Sequence, residues 1–174
     1  MGRRARGWMI WAAALTACSP TLDWRAVRPE PSGAVALFPC RPASHARRLH
    51  LGAVNTELFL YACTASGATF ALAYADVADP AQVGPALAAL RAAAIANVGG
   101  SAQPDGVLNV AGMTPNAQAQ RLLIGGHLPG GRAAQMAAGF FAKGTRVFQA
   151  SVISPGTLDA EAVSTFFAGL EVPS

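Results

Sequence analysis

Two cysteines and two histidines lie close together in the first half of the chain, and these residue types either bind metals or, for the cysteines, form disulfides. Cys40, His45, His50 and Cys63 follow the spacing C-x4-H-x4-H-x12-C. Zinc fingers draw their ligands from close C-x2-4-C and H-x3-5-H pairs, and the spacing of the four residues matches no such pattern. Both a metal site and a disulfide are therefore possible for these residues. The third cysteine, Cys18, bears on the choice between them.

A glycine-rich segment in the second half of the chain is another candidate site. Residues 125–132 are Gly-Gly-His-Leu-Pro-Gly-Gly-Arg. Exposed amides around Gly130 and Gly131, beside His127 and Arg132, could bind an anion or stabilise an oxyanion. Glycines also permit a tight connection between two strands, and this is the favoured interpretation.

The common catalytic signatures are missing from the sequence. There is no G-x-S-x-G, no H-E-x-x-H, no calcium loop and no dinucleotide fingerprint. Residues 139–145 have the glycine spacing of a phosphate loop, but Lys143 precedes the second glycine and no helix is expected to follow. We therefore predict a hairpin turn there and no enzyme activity. No cofactor or bound metal is expected.

A basic stretch follows Cys40 and contains no carboxylate. It consists of Arg41, His45, Arg47, Arg48 and His50. The favoured interpretation is a solvated connection between elements. The alternative is a contact patch for lipid phosphates or an acidic partner.

The first seventeen residues have the three parts of a secretory signal. Residues 1–7 are arginine-rich, residues 8–15 are apolar, and Thr16 and Ala17 are small. The apolar part is shorter than the roughly 20 residues that a bilayer-spanning helix requires. We expect residues 1–17 to be removed on export.

The end of this signal resembles the lipobox of bacterial lipoproteins, in which leucine and two small residues precede an invariant cysteine. Leu15, Thr16 and Ala17 precede Cys18 here. The resemblance implies a diacylglycerol on the Cys18 thiol and usually an acylated amine, and two or three acyl chains anchor a protein stably. An ordinary secretory cleavage after Ala17 is the alternative, but it favours a small residue where Leu15 stands. Ser19 resembles lipoproteins sorted to the outer membrane, so the expected location is its periplasmic leaflet, in preference to the inner membrane.

If Cys18 carries lipid, Cys40 and Cys63 are an even remainder in an oxidising compartment, which favours a disulfide over a metal site. Closing that loop contributes about 3 kcal/mol to stability. The signal also holds three of the chain's 13 basic residues, so the part from Cys18 onward has 10 basic and 9 acidic residues. A net charge near +1 disfavours a nucleic-acid partner.

Periodicity and turn residues predict one domain over residues 33–174, preceded by a tether over residues 18–32 in which Trp24 docks on the domain. A helix is expected from Pro80 or Pro85 to about Val98, and a closing helix is capped by Thr157 or Asp159. Strands are expected at residues 33–38, 57–64, 68–77, 107–110, 121–124, 132–141 and 146–153.

This order of elements, with Phe38-Pro39 ending the first strand and Phe166-Phe167-Ala168-Gly169-Leu170 near the end, resembles the PsbP-like and DcrB-like family of small envelope lipoproteins. The resemblance implies an α+β fold, an antiparallel sheet of five to seven strands with two helices packed on it, and a non-catalytic role in binding or envelope assembly. The expected partners are the membrane and an envelope protein or a phospholipid or lipopolysaccharide headgroup. The alternative function is a small enzyme, or anion or metal binding through His127 and Arg132 or through His45 and His50.

Overall fold

The computed structural model describes residues 22–173, so the signal, the lipobox and Cys18 lie outside the described residues. Nine strands and two α-helices follow one another along this part of the chain. In order they are β1 (Arg25–Val27), β2 (Ala36–Phe38), β3 (Ala43–Leu51), β4 (Val54–Ala65), β5 (Ala68–Asp76), α1 (Val83–Val98), β6 (Ser101–Pro104), β7 (Gln120–His127), β8 (Ala133–Lys143), β9 (Arg146–Pro155) and α2 (Ala160–Ala168).

Seven of the strands form one antiparallel sheet in the order β3-β4-β5-β9-β8-β7-β6, while β1 and β2 form a separate antiparallel pair. The predicted α+β class is therefore confirmed. Short turns join β3 to β4, β4 to β5, β7 to β8 and β8 to β9, so each of these pairs is a hairpin. The helix α1 carries the chain from β5 to the far edge strand β6.

The alternation of side chains in β5 shows how the sheet separates two cores. Phe70, Leu72 and Tyr74 pack on the side of α2 and the β1–β2 pair. Ala73 and Ala75 pack on the side of α1. Because successive strand residues point to opposite faces, one strand serves both cores, and the sheet is the middle of three layers.

Asp79 caps the short 3-10 turn that precedes α1, and Asp159 caps α2. The Asp79 side chain accepts a hydrogen bond from the amide of Ala81, and a 3-10 turn at Pro80–Gln82 leads into α1. Pro85 then lies in the first turn of α1, where a missing amide breaks no helical hydrogen bond, so both candidate starts are used. Asp159 caps α2 by accepting from the amides of Glu161 and Ala162. The predicted apolar stripes of both helices are buried: Val83, Leu87, Leu90, Ala94 and Val98, and Val163, Phe166, Phe167 and Leu170.

Two predictions of local structure were wrong. The basic stretch at residues 41–50 is not a connection, because most of it forms the nine-residue edge strand β3. Residues 107–110 form no strand; Leu108 and Val110 are instead buried loop residues in the core beside α2, and the strand in this region is β6. None of the helices in residues 22–173 is long and apolar enough to cross a membrane.

The described part of the predicted tether is not a tether. Residues 22–32 belong to the domain, because β1 pairs with β2 and the amide of Asp23 donates to the carbonyl of Pro39 over 3.0 Å. The Trp24 ring meets Phe70 edge to face at 5.8 Å, as expected of a docking residue. Tertiary contacts thus fix a proline-containing segment that has little periodicity of its own.

Candidate functional site

The sheet has two ends, which we name after residues found there. The Trp24 end carries the β4–β5 turn at residues 66–67 and the β7–β8 turn at residues 128–132. The Arg146 end carries the β3–β4 turn at residues 52–53 and the β8–β9 turn at residues 144–145. The N-terminal segment, residues 22–40, runs from the Trp24 end to the Arg146 end and back. It therefore contacts the sheet at both ends.

Cys40 and Cys63 form a disulfide near the Trp24 end, as predicted. It joins the end of the N-terminal segment to β4, opposite Phe70 of β5. Because both sulfurs are bonded to each other, the set of Cys40, His45, His50 and Cys63 cannot bind a metal as one site. His45 and His50 are five residues apart on a strand, which places their side chains on opposite faces of the sheet.

The alternation of side chains along β3 also divides the predicted basic contact patch between the two faces of the sheet. In the register of β3 with β4, His45 and Arg47 lie opposite Leu60 and Leu58 on the α1 side of the sheet. Arg48 and His50 lie on the other side, and Arg41 precedes the strand. Charged residues on a long edge strand also discourage pairing with another chain. The structure therefore does not bring the five basic residues together on one face, although all five are exposed: Arg41, His45, Arg47, Arg48 and His50.

The glycine-rich segment forms the turn between β7 and β8. Gly130 and Gly131 have φ angles of +99° and +82°, which glycine adopts without strain. The amide of Gly131 donates to the carbonyl of Leu128 over 2.9 Å, and that of Leu128 donates to the carbonyl of Arg132 over 2.8 Å. Two of the amides proposed for an anion are thus used within the turn, which favours the turn interpretation. The side chains of His127 and Arg132 are exposed on either side of it.

An open trough that the sequence did not predict crosses the α2 side of the sheet. It consists of three adjoining depressions of about 230, 230 and 210 Å³ between β6, β7, β8 and α2. The first two share Leu123 and Gln135, and the second and third share Arg121. Gly125 leaves open space in it, since a Cβ added there would meet no atom within 4 Å. We call this surface the β7 trough.

Arg121 is the basic side chain in the β7 trough. Its Nε donates to a carboxylate oxygen of Asp105 over 2.8 Å, and its guanidinium lies 4.6 Å from the centre of the Phe167 ring. Both interactions fix the arginine along the apolar wall formed by α2. The trough thus combines an apolar floor, two glutamine side chains and one fixed ion pair. Its polar lining includes Ser101, Gln103 and Gln135.

A second polar cluster, also missed by the sequence analysis, lies at the Arg146 end. Arg146 donates to both carboxylate oxygens of Asp76 over 2.7 and 2.8 Å and to the carbonyl of Pro31 over 2.6 Å. The hydroxyls of Tyr61 and Tyr74 donate to the carbonyl of Glu30 over 3.0 and 3.3 Å. The side chains of Arg146, Tyr61 and Tyr74 therefore hold the N-terminal segment on the sheet.

The titration of this cluster follows from its contacts. Burial raises the pKa of the Tyr74 hydroxyl above its ordinary value, and the neighbouring Tyr61 adds to the shift. The hydrogen bonds to Asp76 raise the pKa of Arg146, so its guanidinium stays charged. Asp76 and Arg146 stand opposite each other in the β5–β9 register, a pairing that becomes visible in the sequence only once the strand order is known.

Comparisons with known proteins find no matching family model, no matching curated protein and no matching solved structure. The functional argument therefore depends on the residues and contacts described above.

Proposed function

We propose that the protein is a lipid-anchored protein of the bacterial cell envelope whose domain is a non-catalytic binding or assembly module. The observation that carries the proposal is the lipobox-like run from Leu15 to Cys18 behind an arginine-rich and apolar leader. The pairing of Cys40 with Cys63 supports it, because it suits an oxidising compartment and leaves Cys18 as the one cysteine outside the bond.

The proposed location is the periplasmic leaflet of the outer membrane, on the basis of Ser19 after the lipidated cysteine. The proposed kinship is with PsbP-like and DcrB-like lipoproteins. An antiparallel sheet with α1 on one face and α2 on the other agrees with that kinship, although a fold of this kind serves many functions.

The proposed binding surface is the β7 trough. Open, partly apolar clefts with a few fixed polar groups are the usual places for recognition. Leu123 and Ala137 supply apolar floor, and Arg121 with Asp105 supplies a fixed ion pair at one side. A segment of an envelope protein with apolar side chains and a polar group for Arg121 or Asp105 fits this lining.

Lipidation is tested by the intact mass of the mature protein extracted from membranes. We expect a chain that begins at Cys18 and carries a diacylglycerol plus an amide-linked acyl chain. A Cys18→Ser variant is the control, and it should remain in the membrane as the unprocessed precursor. A mature chain without lipid that is released from the membrane would overturn the anchor.

The binding role is tested by crosslinking in intact cells. A partner crosslinked by the wild type should be lost with Leu123→Lys, which places a charge on the floor of the trough. Ala93→Lys is the matched control, because Ala93 is exposed on α1 at the other face of the sheet. A partner retained equally by both variants, or no reproducible partner at all, would contradict the proposed surface.

A further inference from the structure

We infer that the Trp24 end of the sheet faces the bilayer, with the tip of the β7–β8 turn directed at the lipid headgroups. The inference rests on the proposed function, because it requires acyl chains on Cys18. It adds the orientation of the domain and the identity of the surface that meets the lipid.

The first step is that the chain is fixed from Leu22 onward. Leu22 packs against the core beside α2, and the Asp23 amide is bonded to the carbonyl of Pro39. Trp24 packs on Phe70, which lies near the β4–β5 turn. The described chain therefore begins as part of the domain, at one definite end of the sheet.

The second step is the reach of the chain between Cys18 and Leu22. Four residue steps span at most about 14 Å when fully extended. The predicted tether of residues 18–32 would have reached roughly 50 Å and would have allowed any orientation. The central strands are nine to eleven residues long, so the sheet measures roughly 30 Å from end to end. A lipid on Cys18 can therefore hold the Trp24 end at the membrane but not the Arg146 end.

The third step is the chemistry of the surface at the Trp24 end. The tip of the β7–β8 turn presents Leu128 and Pro129 between the exposed side chains of His127 and Arg132. Small apolar groups flanked by an imidazole and a guanidinium suit the boundary between headgroups and acyl chains. Arg41 is exposed near the same end. The carboxylates at this end are Asp23 beside Trp24 and Asp159 and Glu161 in the first turn of α2. Asp23 pairs with Arg25, and Asp159 is occupied as the helix cap.

The orientation separates the basic residues into two groups. β3 starts at the Trp24 end and runs toward the Arg146 end. At about 3.3 Å per residue, Arg47, Arg48 and His50 lie roughly 13–23 Å farther from the membrane than the start of the strand. Arg41 and Arg132 therefore meet lipid headgroups, while Arg47, Arg48 and His50 face the periplasm.

The chain contains a natural reporter for this orientation. Trp8 and Trp11 belong to the leader, so Trp24 is the one tryptophan of the mature protein. The lipidated protein is placed in vesicles of phosphatidylethanolamine and phosphatidylglycerol that carry a dansyl group on some headgroups, and energy transfer from tryptophan is measured. The matched control is Trp24→Phe combined with Ala53→Trp. Ala53 is exposed in the β3–β4 turn at the Arg146 end.

We expect efficient transfer from Trp24 and at least fivefold weaker transfer from the Ala53→Trp reporter, because transfer falls with the sixth power of distance. Equal transfer from both reporters, or stronger transfer from the Ala53→Trp reporter, would overturn the orientation. If the protein still has a lipidated mass, the proposed anchor would remain. A mass without lipid would instead remove the proposed function and the orientation together.

A second variant tests the reason for the orientation. Twelve Gly and Ser residues are inserted after Pro20, which keeps the lipobox but lengthens the link several-fold. We expect transfer from Trp24 to decrease. Unchanged transfer would show that the short link does not orient the domain and would contradict the inference.

Discussion

At the Trp24 end the N-terminal segment is held by a disulfide and by aromatic contact, whereas at the Arg146 end it is held by side chains that hydrogen-bond to its carbonyls. Covalent and apolar contacts respond little to salt and pH, while charged and phenolic groups respond to both. The end that we place at the membrane is thus fixed by the less sensitive means. Loosening each end separately tests whether the two attachments are independent.

The largest effect is expected from removing the disulfide. The parent for this test begins at residue 18 and carries Cys18→Ser, so that it has no lipid. Adding Cys40→Ser and Cys63→Ser should lower its unfolding free energy by about 3 kcal/mol, since the bond closes a loop of 23 residue steps. Urea unfolding followed by circular dichroism measures the loss, and Trp24 emission should shift to longer wavelength before the global transition. Reductant should weaken the parent with paired cysteines equally and leave the double variant unchanged. A loss below about 1 kcal/mol would mean that the ring contacts alone hold this end.

At the Arg146 end, Arg146→Leu should lower the unfolding free energy by about 1–2 kcal/mol, which is less than the loss of the disulfide. The Arg146 side chain is largely buried, but its partner Asp76 is half exposed. Hydrogen exchange should accelerate at residues 28–34 while Trp24 emission stays as in the wild type. Arg146→Lys keeps the charge but not the forked geometry and should recover only part of the loss. Arg121→Leu removes an ion pair elsewhere and should leave exchange at residues 28–34 unchanged. A shift in Trp24 emission with Arg146→Leu would show that the two attachments are coupled.

Local periodicity was enough to predict much of the fold. The apolar stripe of α1 and the alternation of Phe148, Ala150 and Val152 in β9 were found because each element buries a regular set of its own residues. The disulfide followed from the parity of the cysteines once Cys18 was assigned to lipid.

Elements without such a pattern were missed for physical reasons. β3 is an edge strand exposed on both faces for most of its length, so it has no apolar alternation to detect. β1 has three residues and is fixed by its pairing with β2 and by the contact of the preceding Trp24 with Phe70. The Asp76–Arg146 pair is 70 residues apart and depends on the β5–β9 register, and the β7 trough depends on where α2 stops covering the sheet. These features belong to the tertiary structure.

The basic residues at the Trp24 end should contribute to docking of the domain on anionic lipid. In the variant with the lengthened link, Arg132→Glu should lower the population docked on anionic vesicles about fivefold, which corresponds to about 1 kcal/mol per basic residue near a membrane surface. Arg48→Glu is the matched control at the other end and should have little effect. The Trp24 transfer signal measures both. Equal losses would mean that the net charge of the domain, and not the Trp24 end, attracts the lipid.

The smallest effect concerns the pH response of the Arg146 end. Burial raises the folded-state pKa of Tyr74, so the folded protein holds the phenolic proton more tightly than the unfolded chain does. The stability that this supplies is complete below the ordinary tyrosine pKa of about 10, and it is lost as the pH rises from there through the folded-state pKa. The urea midpoint of the wild type should therefore fall above about pH 10, and Tyr74→Phe should reduce that fall by an amount worth less than about 1 kcal/mol. Tyr61→Phe removes the other hydroxyl bonded to the Glu30 carbonyl but keeps Tyr74, so most of the fall should remain. If the urea midpoint of Tyr74→Phe fell above pH 10 as much as that of the wild type, the pH-sensitive group would be elsewhere. The two ends would then not differ in pH response through Tyr74.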